Sequence, residues 1–315
     1  MPIELKTGPV TDPGFYRMTD DVYHADPAPR PSTSAGLLSI LINDTPADAK
    51  YAHPRLNPPT PQDIEDNDST NYDLGSTAHA LLLGEGRELV VIDANDWRTK
   101  AAKEARAEAI AAEKQPVLAK VYDKANEMHE AARRQLADDP ENFDAFTNGV
   151  PEVSAFAKLP TVGGNIWARA RADWLMEDYS RIYDYKTFAP GADADGFVKY
   201  LVREGRDIQA PHYQAVFAEV AGISWDAIDF RYVVQCPKPP YVLSVIELGA
   251  QTAQWSRDRW QWAMDKWAKC GRAGKFPGHV PRTHYVEAPA YAQTAWELRV
   301  QMDAAAERML AGGEE

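Results

Sequence analysis

Apolar and polar residues alternate most regularly between residues 150 and 188. WARARADWL alternates without a break, and turn signals at TVGG and EDYS separate it from VPEVSAFAKL and SRIYDYKTF. The pattern predicts three consecutive strands. Beyond them the sequence predicts a helical region over 195–221, strands in IDFRYVVQC and YVLSVIEL around the turn PKPP, and helices over 252–270 and 288–310. This order predicts an α/β fold with a mixed central sheet flanked by helices.

The first 150 residues carry fewer strand signals. Small hydroxyl residues precede an apolar run in STSAGLLSILI, which predicts a helix over residues 32–42. NYDLGSTAHALLLGEG predicts a short helix that stops at Gly84 and Gly86. An Ala/Glu/Lys/Arg-rich segment, 96–136, predicts two solvated helices divided by Pro116. Irregular structure is expected over residues 1–31 and 53–70.

The composition is that of an acidic chain without membrane or disulfide signals. Hydrophobic residues make up 44% of the 315 residues, and no run of 18 apolar residues occurs. MPIELKTGPV lacks the layout of a signal peptide, and Cys236 and Cys270 are too few for a disulfide scaffold or a cysteine-based zinc site. A cytoplasmic location is therefore expected. The net charge of −13 argues against general nucleic-acid affinity, so any DNA path should be narrow and local.

The candidate chemistry lies in the two central strands. In WARARADWL, Arg169, Arg171 and Asp173 fall on one face. If EDYS closes a hairpin centred between residues 178 and 179, Asp173 lies opposite Asp184 and Arg171 lies opposite Lys186. Facing carboxylates repel unless a cation or a shared proton intervenes, and Mg²⁺ or Mn²⁺ with oxygen ligands is the usual solution. The alternative is a structural ion pair.

These motifs resemble a known nuclease superfamily. Asp173 followed by Asp184-Tyr185-Lys186 resembles the PD-(D/E)xK nucleases, although RAD replaces the Pro-Asp dipeptide of the first motif. Residues outside this core motif resemble the RecB-like exonuclease branch: His79 in GSTAHALLLG, Glu152 in PEVSAF, and Gln209 and Tyr213 in QAPHYQ. PSTSAGLLSILINDTPADAKY with GSTAHALLLGE resembles the phage and prophage RecE type, exodeoxyribonuclease VIII, and the resemblance covers residues 20–275.

The resemblance implies a PD-(D/E)xK core and one nuclease domain over residues 1–315. Its parts would be an N-terminal segment (1–60), a helical insertion (96–140), a catalytic core (150–275) and a C-terminal helix (285–315). Asp173, Asp184, Lys186 and Glu152 would be catalytic. Mg²⁺, with Mn²⁺ as a substitute, would be held by His79, Asp173, Asp184 and the Tyr185 carbonyl. Gln209, Tyr213, Arg169 and Arg171 would contact or orient DNA.

The resemblance also implies a substrate and partners. Linear double-stranded DNA would be digested 5′→3′ from its ends, giving single strands for recombination. A ring-like homo-oligomer, a RecT-type single-strand annealing partner and a phage or prophage gene in a bacterial host would follow. The alternatives are an endonuclease of the same superfamily, a non-catalytic DNA-binding protein on this fold, and a metal-dependent enzyme acting on another substrate.

Two further expectations concern residues outside the motifs. Ser32, Thr33 and Ser34 begin a helix just after Arg30, and a helix N-terminus with hydroxyls and an arginine could hold a 5′-terminal phosphate. An ordinary helix cap is the alternative. Helix packing, rather than base stacking, is expected for the tryptophans of the 252–270 helix: Trp255, Trp260, Trp262 and Trp267.

Overall fold

The computed structural model describes residues 3–58 and 74–311, with backbone alone at 307–311. Its strands are β1 (Leu5–Lys6), β2 (Gly14–Tyr16), β3 (Leu89–Ile92), β4 (Gln115–Leu118), β5 (Gly149–Leu159), β6 (Ile166–Met176), β7 (Arg181–Thr187), β8 (Asp229–Gln235) and β9 (Leu243–Ile246). Its helices are α1 (Asp20–His24), α2 (Ala35–Asn43), α3 (Pro46–Ala52), α4 (Leu74–Leu83), α5 (Lys100–Ala111), α6 (Ala119–Ala137), α7 (Ala194–Arg203), α8 (Gln209–Ala221), α9 (Ala250–Ala273) and α10 (Ala290–Ala311).

Seven strands form one mixed sheet in the order β1-β2-β5-β6-β7-β8-β9. The pairs β1–β2 and β7–β8 are parallel, and the other neighbours are antiparallel. Because β7 and β8 are parallel, the chain between them must cross over, and it does so through α7 and α8. This confirms the predicted α/β fold with a mixed central sheet.

Helices cover both faces of the sheet. On one face α2, α8 and α9 bury Leu38, Phe217 and Met264 against the strands. On the other, α4 and α6 bury residues such as Leu82 and Met128. Buried apolar area of this kind is the main favourable term in folding, and it holds the central strands β6 and β7 rigidly between two helical layers.

The hairpin of β6 and β7 has the predicted register. Trp174 pairs with Tyr183 and Leu175 with Ile182, so paired numbers sum to 357 as expected. The described pairing stops there, because the strands separate toward Asp173 and Asp184. Their divergence leaves room for side chains between the strand ends, and the two carboxylates do not form a cross-strand pair.

A local distortion in β5 lies next to this divergence. Pro151 pairs with Trp174 and Val153 with Ala172, but the pair between them is missing. Glu152 has a φ of +54°, in the left-handed region that side-chain-bearing residues seldom adopt. The distortion places Glu152 and Asp173, which lies opposite it on β6, at the cavity described below.

Two expectations for the N-terminal half are wrong. Residues 1–31 contain β1, β2 and α1 rather than only irregular chain, and Phe15 and Tyr16 of β2 are buried. The 96–136 segment also includes β4, which pairs in parallel with β3, so Pro116 lies in a strand. A two-stranded sheet places proline at an edge, where the missing N–H costs little. Helix α6 is amphipathic and buries one face, so it is not simply solvated.

The remaining expectations for helices agree with the described chain. Helices α2, α4, α9 and α10 begin and end within a few residues of the predicted bounds, and the helical region predicted over 195–221 contains two helices, α7 and α8. Part of the 53–70 loop lies outside the described residues. The described chain divides into two compact units, one ending at Gly278 and one beginning at His279 that contains α10. Among the described helices, none has the length and apolar character needed to cross a bilayer.

Candidate metal centre and its surroundings

An open cavity of about 690 Å³ lies where β5, β6 and β7 separate. Helices α1 and α4 and strand β4 contribute to its walls. The residues of interest that line it are His79, Glu152, Arg171, Asp173, Tyr185, Lys186 and Tyr213. The fold thus brings residues from five separate stretches of sequence to one place.

Three of these side chains form a group that can hold a metal ion. One ligand atom from each of His79, Glu152 and Asp173 lies within 4.8 Å of the others. The His79 Nε2 atom is 3.3 Å from Asp173 Oδ2 and 3.8 Å from Glu152 Oε1. One imidazole and two carboxylates form a donor set typical of divalent cations.

The pKa values of these side chains depend on burial and on one another's charges. Burial would raise the pKa of Asp173, but His79 and Lys186 outweigh burial and lower that pKa to about 2. Burial would lower the pKa of His79, whereas the carboxylates of Asp173 and Glu152 raise it. Burial raises the pKa of Glu152 against the opposing charge of Arg171. A divalent cation would replace the His79 proton as the partner of these carboxylates.

Asp184 and Lys186 form an ion pair beside this group. The Lys186 Nζ atom lies 2.6 Å from Asp184 Oδ2, and Gln209 Nε2 donates a hydrogen bond to Asp184 Oδ1 at 2.8 Å. Tyr213, one turn after Gln209 on α8, lies within hydrogen-bonding reach of the Gln209 side chain. Gln209 therefore positions Asp184, which pairs with Lys186, and Tyr213 contacts the Gln209 side chain.

The ionisation of this pair depends on its burial. Asp184 is 1% exposed, and burial raises its pKa to about 6 despite the opposing charge of Lys186. Burial would lower the pKa of Lys186, but Asp184 and Asp173 together raise it, so the ammonium form is favoured. Lys186 has an exposed side-chain fraction of 36%, which lets the ammonium group reach the cavity.

The group of possible ligand atoms overlaps only in part with the predicted metal ligands, which were His79, Asp173, Asp184 and the Tyr185 carbonyl. Among the described residues, the compact group contains Glu152, and Asp184 lies outside it. The Tyr185 backbone N–H donates to Asp173 Oδ2 at 2.8 Å, which fixes that carboxylate. Metal ligation by Asp184 and by the Tyr185 carbonyl stays a prediction.

The two arginines on the Asp173 face have internal partners. Arg169 is 5% exposed, donates to Ser32 Oγ at 2.7 Å and lies 3.2 Å from Asp26 Oδ1. Arg171 pairs with Glu152 and also lies 3.3 Å from Asp20 Oδ1. Arg171 lines the metal cavity and positions Glu152, whereas Arg169 ties the N-terminal segment to β6.

A second cavity, of about 650 Å³, lies on the other side of Lys186 and Tyr213. Ser34 lines it and caps α2, accepting a hydrogen bond from the Leu37 N–H. Arg206 also lines this cavity. Arg30 does not join Ser34 here, and it lines a third cavity instead.

Several residues that surround the centre carry no sequence signal. Asp20 and His24 of α1, Arg87, Gln115 and Arg206 line one or the other of the two cavities. Their segments read as irregular chain, as a peripheral insertion or as a helix, and no motif marks them. Only the three-dimensional fold brings these residues to the site.

Comparison with known proteins bears on the fold. No family model and no curated protein matches the sequence. The crystal structure of a "Putative exonuclease" from Eubacterium rectale covers 89% of this chain and 98% of its own, with a TM-score of 0.55 and 16% identity. The structure of SSO0001 covers 58% of this chain and 83% of its own at 16% identity, and its TM-score of 0.24 is too low to indicate a shared fold. The first match shows a shared fold.

Proposed function

We propose that the protein is a divalent-metal-dependent exodeoxyribonuclease that degrades linear double-stranded DNA from its ends, in the 5′→3′ direction. The observation that carries the proposal is the His79, Glu152 and Asp173 group beside the Asp184–Lys186 ion pair in one open cavity. The fold shared with a structure named as an exonuclease adds support.

The donor set fits a divalent cation. Carboxylate oxygens suit Mg²⁺ and Mn²⁺, and the imidazole of His79 adds a nitrogen ligand that Mn²⁺ accepts readily. We expect His79, Glu152 and Asp173 to hold the ion, with Asp184 next to them. When bound, such an ion would polarise a phosphodiester and lower the pKa of water.

The side chains themselves provide orientation and charge. Lys186 presents an ammonium group to the cavity, where it would stabilise negative charge growing on the phosphate or orient the attacking water. Asp184 holds Lys186, and Gln209 holds Asp184. Arg171 and the Tyr185 N–H fix the carboxylates of Glu152 and Asp173, respectively, so the centre is preorganised.

The second cavity is the proposed site for the end of the digested strand. It adjoins the metal cavity through Lys186 and Tyr213, and it contains the N-terminus of α2 with Ser34. Free N–H groups and hydroxyls at a helix N-terminus suit a terminal phosphate. Arg206 supplies a cation in this cavity, a role for which the sequence suggested Arg30.

The decisive experiment uses linear duplex DNA labelled at either the 5′ or the 3′ end, with Mg²⁺ or Mn²⁺. We expect early release of the 5′ label and persistence of the 3′ label. Covalently closed circular DNA of the same sequence is the control and should resist digestion. Equal cleavage of the circle would indicate an endonuclease, early release of the 3′ label would reverse the polarity, and no cleavage with either metal would refute the proposed activity.

A further inference from the structure

The third cavity, of about 660 Å³, differs in chemistry from the metal cavity. No carboxylate occurs among the described residues that line it, although the chain carries a net charge of −13. Three cations and three aromatic residues line it: Arg30, Lys50, Arg272, Trp167, Trp267 and Phe276. An acid-free, basic and aromatic cavity in an acidic protein suggests an anionic ligand that carries rings.

The three cations have no acidic partner within the described chain, whereas Arg169 and Arg171 do. Lys50 is placed over an aromatic ring, with its Nζ atom 5.8 Å from the centroid of Phe276. The Arg272 guanidinium lies against Gly163, where a Cβ atom would be only 1.7 Å from the Arg272 Cζ atom. Cations that lack internal partners can pair with a ligand without first breaking an ion pair.

Two of the three aromatic residues contact each other, and Phe276 is the partly exposed member of that pair. The rings of Trp267 and Phe276 meet edge to face with centroids 5.3 Å apart, and His53 stacks on Trp267 at 5.6 Å. Trp167 on β6 has the Nζ atom of Lys158 5.0 Å from its ring centroid. Nucleobases stack favourably on such surfaces, because every base presents a π face.

The position of this cavity relates it to the metal centre. Trp167 lies six residues before Asp173 on the continuous strand β6, which corresponds to about 20 Å along the strand. The second cavity is lined by His53 and Pro54, and the third by Lys50 and Leu56 of the same segment. The three cavities therefore follow one another along the molecule.

We propose that the third cavity binds single-stranded DNA about 20 Å from the metal centre, a distance given by the strand rise. The proposal rests on the proposed function, since that activity generates single strands. Phosphates would pair with Arg30, Lys50 and Arg272, and bases would stack on the Phe276 side of the cavity.

The test measures binding rather than cleavage. Fluorescence anisotropy of a labelled 15-nucleotide oligothymidylate, in EDTA to prevent hydrolysis, compares the full-length wild type with an Arg30→Ala/Arg272→Ala double variant. We expect the variant to bind at least tenfold more weakly at low salt. The dependence of log K on log[salt], where K is the association constant, should become shallower by about 1.4, since each of the two lost phosphate contacts on a single strand contributes about 0.7 to the slope.

Two further variants separate a specific site from general electrostatics. Lys103→Ala/Lys120→Ala removes the same charge from the exposed surface of α5 and α6 and should bind like the wild type. Phe276→Leu keeps the charge and most of the apolar volume but removes the ring, and it should weaken binding at least fivefold, as expected for the loss of one stacked base. Circular dichroism verifies that each variant is folded.

Several results would overturn this inference. These are no binding of the oligonucleotide by the wild type, equal loss in both double variants, or an oligomer that dissociates in Arg30→Ala/Arg272→Ala, which would make the cavity a subunit contact. Binding of an acidic, phenylalanine-containing peptide in place of the oligonucleotide would assign a protein ligand. If the wild type digests linear DNA but the variants bind the oligonucleotide as tightly as the wild type does, the inference fails and the proposed function stands.

Discussion

Asp173, Asp184 and Lys186 have different surroundings, and under the proposed function they have different tasks. Asp173 is fixed by the Tyr185 N–H and by His79, and its low pKa keeps it ionised. Asp184 is almost fully buried and contacts Lys186. Under the proposed function, this arrangement separates a carboxylate that would hold a cation from one that holds the Lys186 ammonium group, which is how neighbouring acids acquire distinct roles.

This division of tasks leads to a prediction for single substitutions. Under the proposed function, Asp173→Ala, Asp184→Ala and Lys186→Ala should each reduce DNA hydrolysis to background. The three changes would remove a proposed metal ligand, the partner of the lysine, and the charge proposed to face the phosphate, respectively. The measurement is the initial rate on linear duplex, with circular dichroism as the folding control. A rate within tenfold of the wild type for any of the three would exclude that residue from the centre.

A second prediction at this scale concerns His79. Removing its imidazole in His79→Ala should weaken Mn²⁺ binding at least tenfold in isothermal titration calorimetry, since one of the three closest donor atoms is lost. His129→Ala on α6 is the matched control, because it removes a partly exposed histidine that does not line the cavity. Equal affinities in the two variants would make His79 a packing residue.

At the level of elements, periodicity predicts best where a strand is long. The alternation of WARARADWL and the EDYS turn predict both β6 and its register with β7, and that register brings Asp173 and Asp184 to neighbouring positions. Strands of two or three residues, such as β1 and β2, contain too few positions to show a period. Their pairing depends on contacts with β5 that no local pattern reveals.

The start of α2 shows how tertiary contacts change a local prediction. STSAGLLSILI predicts a helix from residue 32, but the helix begins at Ala35 with Ser34 as its cap. Ser32 is buried and bonds to Asp26 instead, and Thr33 bridges to Ala168 of β6. The hydroxyl residues thus attach α2 to the sheet, and only Ser34 remains available to line the second cavity.

The tryptophans of α9 divide in a way that the sequence did not predict. Trp260 and Trp267 are 3% and 4% exposed and pack in the core, as expected, but Trp255 and Trp262 are 44% and 50% exposed. Basic side chains cover the exposed rings: Arg259 lies 4.4 Å from the Trp255 centroid and Lys266 lies 4.3 Å from that of Trp262. Helical spacing places Trp255 with Trp262 and Trp260 with Trp267 on two different faces, but it does not show which of the two faces is buried.

At the scale of the whole molecule, buried polar contacts join parts of the chain that are distant in sequence. The Asp26 carboxylate accepts hydrogen bonds from the Ser32 N–H and hydroxyl, and Arg169 and His53 lie within ion-pair distance of it. These four residues are nearly or fully inaccessible. The contacts attach the N-terminal segment to the centre of the sheet and so fix the walls of the second cavity.

His212 makes a similar connection between α8, β6 and α9, and its protonation is restricted by its partners. Its Nε2 atom is 2.9 Å from the Arg169 carbonyl, and the Trp260 Nε1–H donates to its Nδ1 at 3.1 Å. The neutral ring satisfies both contacts, with Nε2–H as donor and Nδ1 as acceptor. A proton on Nδ1 would face the indole N–H, and burial lowers the pKa of His212 to about 4.

This contact makes the stability of the fold depend on pH. An unfolded histidine has a pKa of about 6.5, so between about pH 6.5 and pH 4 the unfolded state binds the proton and the folded state does not. Folding stability from His212 is therefore complete above pH 6.5 and declines as the pH falls, by about 2 kcal/mol between pH 7.5 and pH 5.

His212→Gln provides an amide donor and an acceptor that do not titrate. Urea unfolding at the two pH values should show a loss of stability that is smaller in the variant by about this amount, and the same loss in both proteins would mean that His212 is not the group responsible.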